Sequence, residues 1–160
     1  MVSGLKLFDL NGKTALITGS SQGIGYALAK GLADAGSDII LNGRNTEKLK
    51  QSAEAINTKQ NIFQLCFDVT NYEQTKRSID KFEKDIKPID ILINNAGMQF
   101  RTPLEDFPPE MFEQLLKTNI SSVFNVSQVV AKYMIKRGEG KIINIASVQT
   151  ALARPGIAPY

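Results

Sequence analysis

The 160-residue chain contains no histidine, no tryptophan and one cysteine, Cys66. That leaves little with which to build a zinc centre and nothing for a histidine-dependent triad. A lone cysteine admits no disulfide within the chain, which suits a reducing, cytoplasmic setting. Its place in the apolar run 62–67 predicts a buried structural thiol rather than a nucleophile. No stretch reaches the ~18 apolar residues of a membrane span. Residues 1–13 interleave Lys6, Asp9 and Asn11 with apolar positions, unlike a signal peptide. The net charge is only +3, with acids and bases well mixed, so neither nucleic acid nor a membrane surface is marked as a partner. Acid–base chemistry is left to Tyr, Lys, Asp, Glu and Ser.

Glycine, by contrast, is concentrated where it carries information. Gly19, Gly23 and Gly25 stand in Thr18-Gly19-Ser20-Ser21-Gln22-Gly23-Ile24-Gly25, between a strand-like run at 14–17 and a helix-like run at 26–35. A strand that stops at closely spaced glycines and re-enters a helix leaves bare N–H groups and the positive end of the helix dipole facing one point, a phosphate site. Glycine also serves turns and helix caps, so the triplet alone leaves both readings open. Along the helix Ile24, Leu28, Gly31, Leu32 and Ala35 recur at helical spacing, and Gly25 and Gly31 predict close approach to a sheet.

A second strand at 38–42 runs into Asn42-Gly43-Arg44-Asn45. In dinucleotide folds an acidic residue here accepts from the ribose 2′-hydroxyl, whereas a basic one accommodates a 2′-phosphate. With Arg44 present and no carboxylate between Asp38 and Glu47, NADP is favoured over NAD. The alternative is a solvated turn arginine. Asn45 is placed to cap a helix that buries Leu49, Ala53 and Ile56. A strand at 61–67 ends in Asp68-Val69, and Thr70-Asn71-Tyr72-Glu73 has the pattern of a capping box, opening a helix with Thr75, Ile79, Phe82 and Ile86 on one face.

The run Ile91-Leu92-Ile93 enters Asn94-Asn95-Ala96-Gly97 without alternation, as expected of a parallel strand covered on both faces. These small residues suit either close backbone contact or an ordinary turn. Pro108-Pro109-Glu110 starts a long helix to Lys136, ended by Gly138 and Gly140, whose apolar residues form more than one stripe and so need partners on two sides. Asn119 in its middle is a poor interior helix former. A last strand at 141–146 delivers Ser147. Four strand–helix repeats and a fifth strand predict one α/β domain over 1–160, a Rossmann-type doubly wound parallel sheet of order 3-2-1-4-5 with its site at the carboxyl ends of the strands.

The octet 18–25, the Asn94-Asn95-Ala96-Gly97 segment, Asn119, and Ser147 followed thirteen residues later by Tyr160 together resemble the short-chain dehydrogenase/reductase family, from end to end of the chain. The resemblance implies hydride transfer between nicotinamide and an alcohol carbon. Tyr160 would be its acid–base group, Ser147 would hold the substrate oxygen, and Asn119 would hold a water in a proton relay. It implies cofactor contacts at Gly19, Ser21, Gly23, Ile24, Gly25, Arg44, Asp68, Val69, Asn95, Ala96 and Gly97, with Asp68 and Val69 at the adenine and Asn95 at a ribose. It also implies a homo-oligomer built through the long helix. In the family the tyrosine belongs to a Y-x-x-x-K motif whose lysine lowers a hydroxyl pKa that is otherwise near ~10. Tyr160 is the last residue here, so the sequence is expected to be the N-terminal portion of a longer enzyme, incomplete at its C-terminus, with the fifth strand left as an exposed edge.

Segments 95–101 and 145–154 look like those of the gluconate 5-dehydrogenase branch of the family, which interconverts gluconate and 5-ketogluconate. Arg101 and Arg154 both follow strand ends, and either could grip a sugar-acid carboxylate in a bidentate pair, with Gln149 as a further substrate contact. They are equally readable as exposed loop arginines. Three functions are therefore expected to compete. The first is an NADP-dependent oxidoreductase of sugar acids or polyols. The others are a non-catalytic nucleotide-binding fragment and another reductase of the family, such as a 3-oxoacyl carrier-protein reductase.

Overall fold

The computed structural model describes residues 4–152 and 154–160. Short apolar strands β1 (Thr14–Ile17), β2 (Asp38–Gly43), β3 (Ile62–Cys66), β4 (Ile91–Asn94) and β5 (Lys141–Asn144) alternate with helices. The helices are α1 (Gly23–Asp34), α2 (Thr46–Ala55), α3 (Tyr72–Asp85), α4 (Pro109–Leu116) and α5 (Ser122–Arg137). All strand pairs are parallel and the order is β3-β2-β1-β4-β5, as the repeat pattern predicts.

The sheet is covered on both faces, which is why its central strands read as unbroken apolar runs. Leu16, Ile40 and Leu92 point to one side and pack with Ile79 and Phe82 of α3 and Val126 and Val130 of α5. Ala15, Ile17, Ile39, Leu41 and Ile93 point to the other and pack with Ala29 of α1 and Leu49 of α2.

Helix ends follow the expected chemistry with two exceptions. Asn45 caps α2, its side chain accepting from the Lys48 N–H at 2.9 Å. At α3 the cap is Asn71, which accepts from the Gln74 N–H at 3.0 Å, and the expected Thr70–Glu73 box does not form. Thr70 is drawn instead to Asp68, to which both its N–H and its hydroxyl donate. Ile86 is exposed rather than buried, because α3 ends at Asp85 and the backbone at Ile86 leaves helical geometry.

On α1 the buried stripe is Gly25, Ala29 and Ala33, and Ile24 in the first turn is exposed over the site. Of the two glycines expected to seat the helix only Gly25 does so, since a Cβ at Gly31 would meet nothing within 4 Å. The predicted burial of Cys66 is also overturned. It is exposed, because it ends β3, the outermost strand on its side, and its Sγ accepts from the Thr46 hydroxyl at 3.3 Å.

The long helix is continuous from Pro109 to Arg137 but widens into a π-helical turn at Lys117–Ser121, around Asn119. It ends at Gly138 in the left-handed conformation, φ +80°. Its inner side buries Leu115, Val126, Val129 and Val130, while Phe112, Leu116, Ile120 and Phe124, four apart, form an exposed apolar stripe.

Candidate active site

The carboxyl ends of β1, β2, β4 and β5 surround two adjoining hollows. Between β1 and α1 the chain turns through Gly19 and Gly23, at φ +62° and +60°, a conformation that disfavours any residue with a Cβ. A Cβ at Gly25 would lie 2.5 Å from Asn95 Nδ2 and 2.6 Å from the Gly19 carbonyl, so only glycine lets α1 start this close to the β4 loop. The Gln22 side chain makes no capping bond and the first turn of α1 holds no acidic residue. Its leading N–H groups are thus left for an anion.

The first hollow, about 460 Å³, is lined by Gly19, Ser21, Gly23, Arg44, Asp68 and Val69 among others. Asp68 is held firmly, its Oδ1 accepting from the Thr70 N–H and hydroxyl at 2.8 Å each, while Oδ2 lies 3.8 Å from Arg44 Nη1. The second hollow, about 530 Å³, brings together Asn119, Ser147, Gln149 and Tyr160, with Ile24 at its edge. Ser147 Oγ accepts from the Gln149 N–H at 3.2 Å. The Gln149 Oε1 is buried with no hydrogen-bond partner among the described residues.

Asn95, Ala96, Gly97 and Met98 form a wall shared by both hollows. On one side Thr18 Oγ1 accepts from the Asn95 and Ala96 N–H groups at 2.9 and 3.0 Å, and Asn95 Nδ2 donates to the Thr18 carbonyl at 2.9 Å. On the other side Asn119 spends both ends of its amide on Met98, accepting from its N–H at 2.8 Å and donating to its carbonyl at 2.9 Å. This explains an asparagine at the π turn: its side chain ties the helix to the wall.

Residues 13–160 match the family model of the short chain dehydrogenases. The chain belongs to the short-chain dehydrogenase family. It is 52% identical over 157 residues to gluconate 5-dehydrogenase of Gluconobacter oxydans, a match covering 96% of this chain and 60% of the relative. It is 42% identical over 156 residues to 5-keto-D-gluconate 5-reductase of Escherichia coli K12, covering 96% and 61%. A crystal structure of a gluconate 5-dehydrogenase from Burkholderia cenocepacia, in complex with NADP and tartrate, superposes with a TM-score of 0.91 at 48% identity, covering 99% of this chain and 62% of that one. The chain thus spans about three-fifths of the length of the relatives it matches.

In this member of the short-chain dehydrogenase family, two of the substrate candidates fall outside the cluster. Arg101 and Arg154 are exposed and line neither hollow. Among the described residues lining the second hollow there is no charged side chain. Sequence reasoning quoted Asn42 and Asn94 within motifs but gave neither a role of its own, and both are buried and hold the site's floor. Asn42 accepts from the Gly19 N–H at 3.3 Å and donates to the Leu65 and Phe67 carbonyls at 3.0 and 3.1 Å, joining β1, β2 and β3. Asn94 Nδ2 donates to Ser127 Oγ at 2.9 Å and Asn144 Oδ1 at 2.8 Å, joining β4 to α5 and β5. A buried amide at the carboxyl end of an otherwise apolar strand was the available signal.

Proposed function

We propose that this chain carries the nucleotide site and the substrate-facing hydroxyls of an NADP-dependent oxidoreductase that interconverts gluconate and 5-ketogluconate. The observation that carries the reading is the gathering of Asn119, Ser147, Gln149 and Tyr160 in one hollow that shares a wall with the glycine-lined hollow. The names of the similar enzymes from Gluconobacter and Escherichia support the substrate class.

In this reading the main chain at Gly19, Ser21, Gly23 and Ile24, backed by the α1 dipole, holds the pyrophosphate, and Gly25 permits the approach. Asp68 and Val69 face the adenine, Arg44 meets the 2′-phosphate, and Asn95, Ala96 and Gly97 flank the ribose on the nicotinamide side. The bound cofactor supplies or accepts the hydride. Tyr160 gives or takes the proton at the substrate oxygen, and the Ser147 hydroxyl holds that oxygen by a hydrogen bond. The unpaired Gln149 carbonyl accepts from a substrate hydroxyl. Asn119 acts by fixing the Met98 loop, and Arg101 and Arg154 serve at most as outer contacts for an incoming carboxylate.

A second reading is favoured by the lack of charged side chains among the described residues that line the hollow with Tyr160. A tyrosine hydroxyl serves as a base near neutrality only with a cation beside it, so these 160 residues would bind nucleotide and turn nothing over. Among the described residues no helix is long and apolar enough to cross a membrane and no cluster could hold a metal ion. We place the protein in the cytoplasm, with the Phe112–Leu116–Ile120–Phe124 stripe meeting a second copy of the chain.

Calorimetric titration with NADPH and NADH, paired with a gluconate-dependent absorbance assay, tests the reading. Tighter binding of NADPH, with the preference lost in Arg44→Ala, is the expected result. Equal losses for both nucleotides would remove Arg44 from the 2′-phosphate site, and no binding by either would refute the nucleotide site itself.

A further inference from the structure

Among the described residues Arg44 and Asp68 are the only charged side chains that line the first hollow, with Nη1 and Oδ2 3.8 Å apart. Their freedom to move is unequal. The Asp68 carboxylate is anchored through Oδ1 by two bonds from Thr70, and its side chain is 34% exposed. The Arg44 side chain is 76% exposed and has no second ion-pair partner among the described residues. One group is therefore held by its neighbours, and the other is long and exposed. An anion entering the hollow meets an arginine already shared with a carboxylate.

We propose that Asp68 tunes nucleotide specificity by competing for Arg44, so that a ligand's ribose phosphate binds only by displacing the Asp68 carboxylate from the guanidinium. This rests on the reading of the hollow as a dinucleotide site. A phosphate offers more charge and a bidentate geometry, so it wins the exchange. The exchange nevertheless subtracts the Arg44–Asp68 attraction from the binding of every 2′-phosphorylated nucleotide and leaves unphosphorylated ones unaffected. The pair thereby holds down discrimination between NADPH and NADH, which share every other group.

The test is a four-protein calorimetric titration with NADPH and NADH: the parent chain, Asp68→Asn, Arg44→Ala and the double variant. Asparagine keeps an oxygen to accept from Thr70, and thermal unfolding checks that the fold is retained. Should Asp68→Asn fail to fold, Asp68→Ser takes its place. Asp68→Asn is expected to raise the NADPH-over-NADH affinity ratio about two- to fivefold, the scale of one partly exposed ion pair. The same change in the Arg44→Ala background should move the ratio by less.

An unchanged or lower ratio in Asp68→Asn would overturn the exchange while leaving the nucleotide site standing. An equal rise in both backgrounds would also overturn it, since Asp68 would then act by repelling the phosphate directly. Failure of all four proteins to bind either nucleotide would sink this inference and the reading beneath it together.

Discussion

Strands β4 and β5 lie side by side with Ile91, Leu92, Ile93 and Asn94 registered against Lys141, Ile142, Ile143 and Asn144. Their sequences are nearly interchangeable, yet every residue of β4 is buried and every residue of β5 is exposed. Ile93 is 3% exposed and its neighbour Ile143 is 47% exposed. The difference lies in what surrounds them. β4 has a strand on each side and helices on both faces, whereas β5 has a strand on one side only. An apolar strand sequence therefore reports a demand for cover, and the neighbours decide whether the demand is met.

The sharpest way to break the comparison is truncation of one residue in each strand. Leu92→Ala should cost about 3 kcal/mol in urea unfolding, because it opens a cavity between α3, α5 and the sheet. Ile142→Ala should cost less than about 1 kcal/mol, since half-exposed side chains lose little on removal. Equal losses would show that β5 is covered in solution. Next in size is Asn94→Ala, which strips Ser127 and Asn144 of their shared donor and should cost about 2 kcal/mol by the same measurement. Asn144→Ala, on the exposed side of that bond, should cost less.

A pH titration probes the opposite edge of the buried strands. Burial alone would push the Asp38 carboxyl up, but hydrogen bonds from Lys87 and from the Asn61 backbone and side chain outweigh it and hold the carboxyl below its ordinary value. A lowered folded pKa contributes stability that is fully present above the unfolded value of ~3.9 and is lost as pH falls through the folded one. The stability gap between the parent and Asp38→Asn should therefore close on acidification in that range, and a gap that stayed constant would remove the ionised carboxylate from the account. The smallest effect belongs to Ile143→Thr. It should leave unfolding within about 0.5 kcal/mol, yet reduce self-association in sedimentation, because it removes apolar surface from an unpaired edge.

The same contrast explains what was legible beforehand. Strand order and the two-faced core follow from short-range signals: the βαβ repeat, the Asn45 cap, and unalternated runs such as Ile91-Leu92-Ile93. Errors gathered at the ends of elements. Cys66 sits in an apolar run but at the end of an outer strand, Ile86 keeps the helical period but lies past the helix, and Thr70 is claimed by Asp68 before it can cap. Of the site residues, the glycine turn and Ser147 come near one another because both follow strand ends. Arg101 and Arg154 do not, since a loop's path after a strand end is set by contacts the local sequence does not encode. The π turn was visible only as an asparagine out of place, its partner Met98 being twenty-one residues away.

The Asn95–Met98 wall, pinned by Thr18 on one flank and Asn119 on the other, has a further consequence. It acts as a fixed gauge between the two hollows. A molecule long enough to reach from one to the other meets its anchoring point and its reacting point at a separation set by four residues of backbone, and neither end adjusts for the other. Two separate fragments would each find a seat but no common alignment. Joining them converts the second encounter into an intramolecular one, so a linker of the right length counts for as much as either fragment's own contacts.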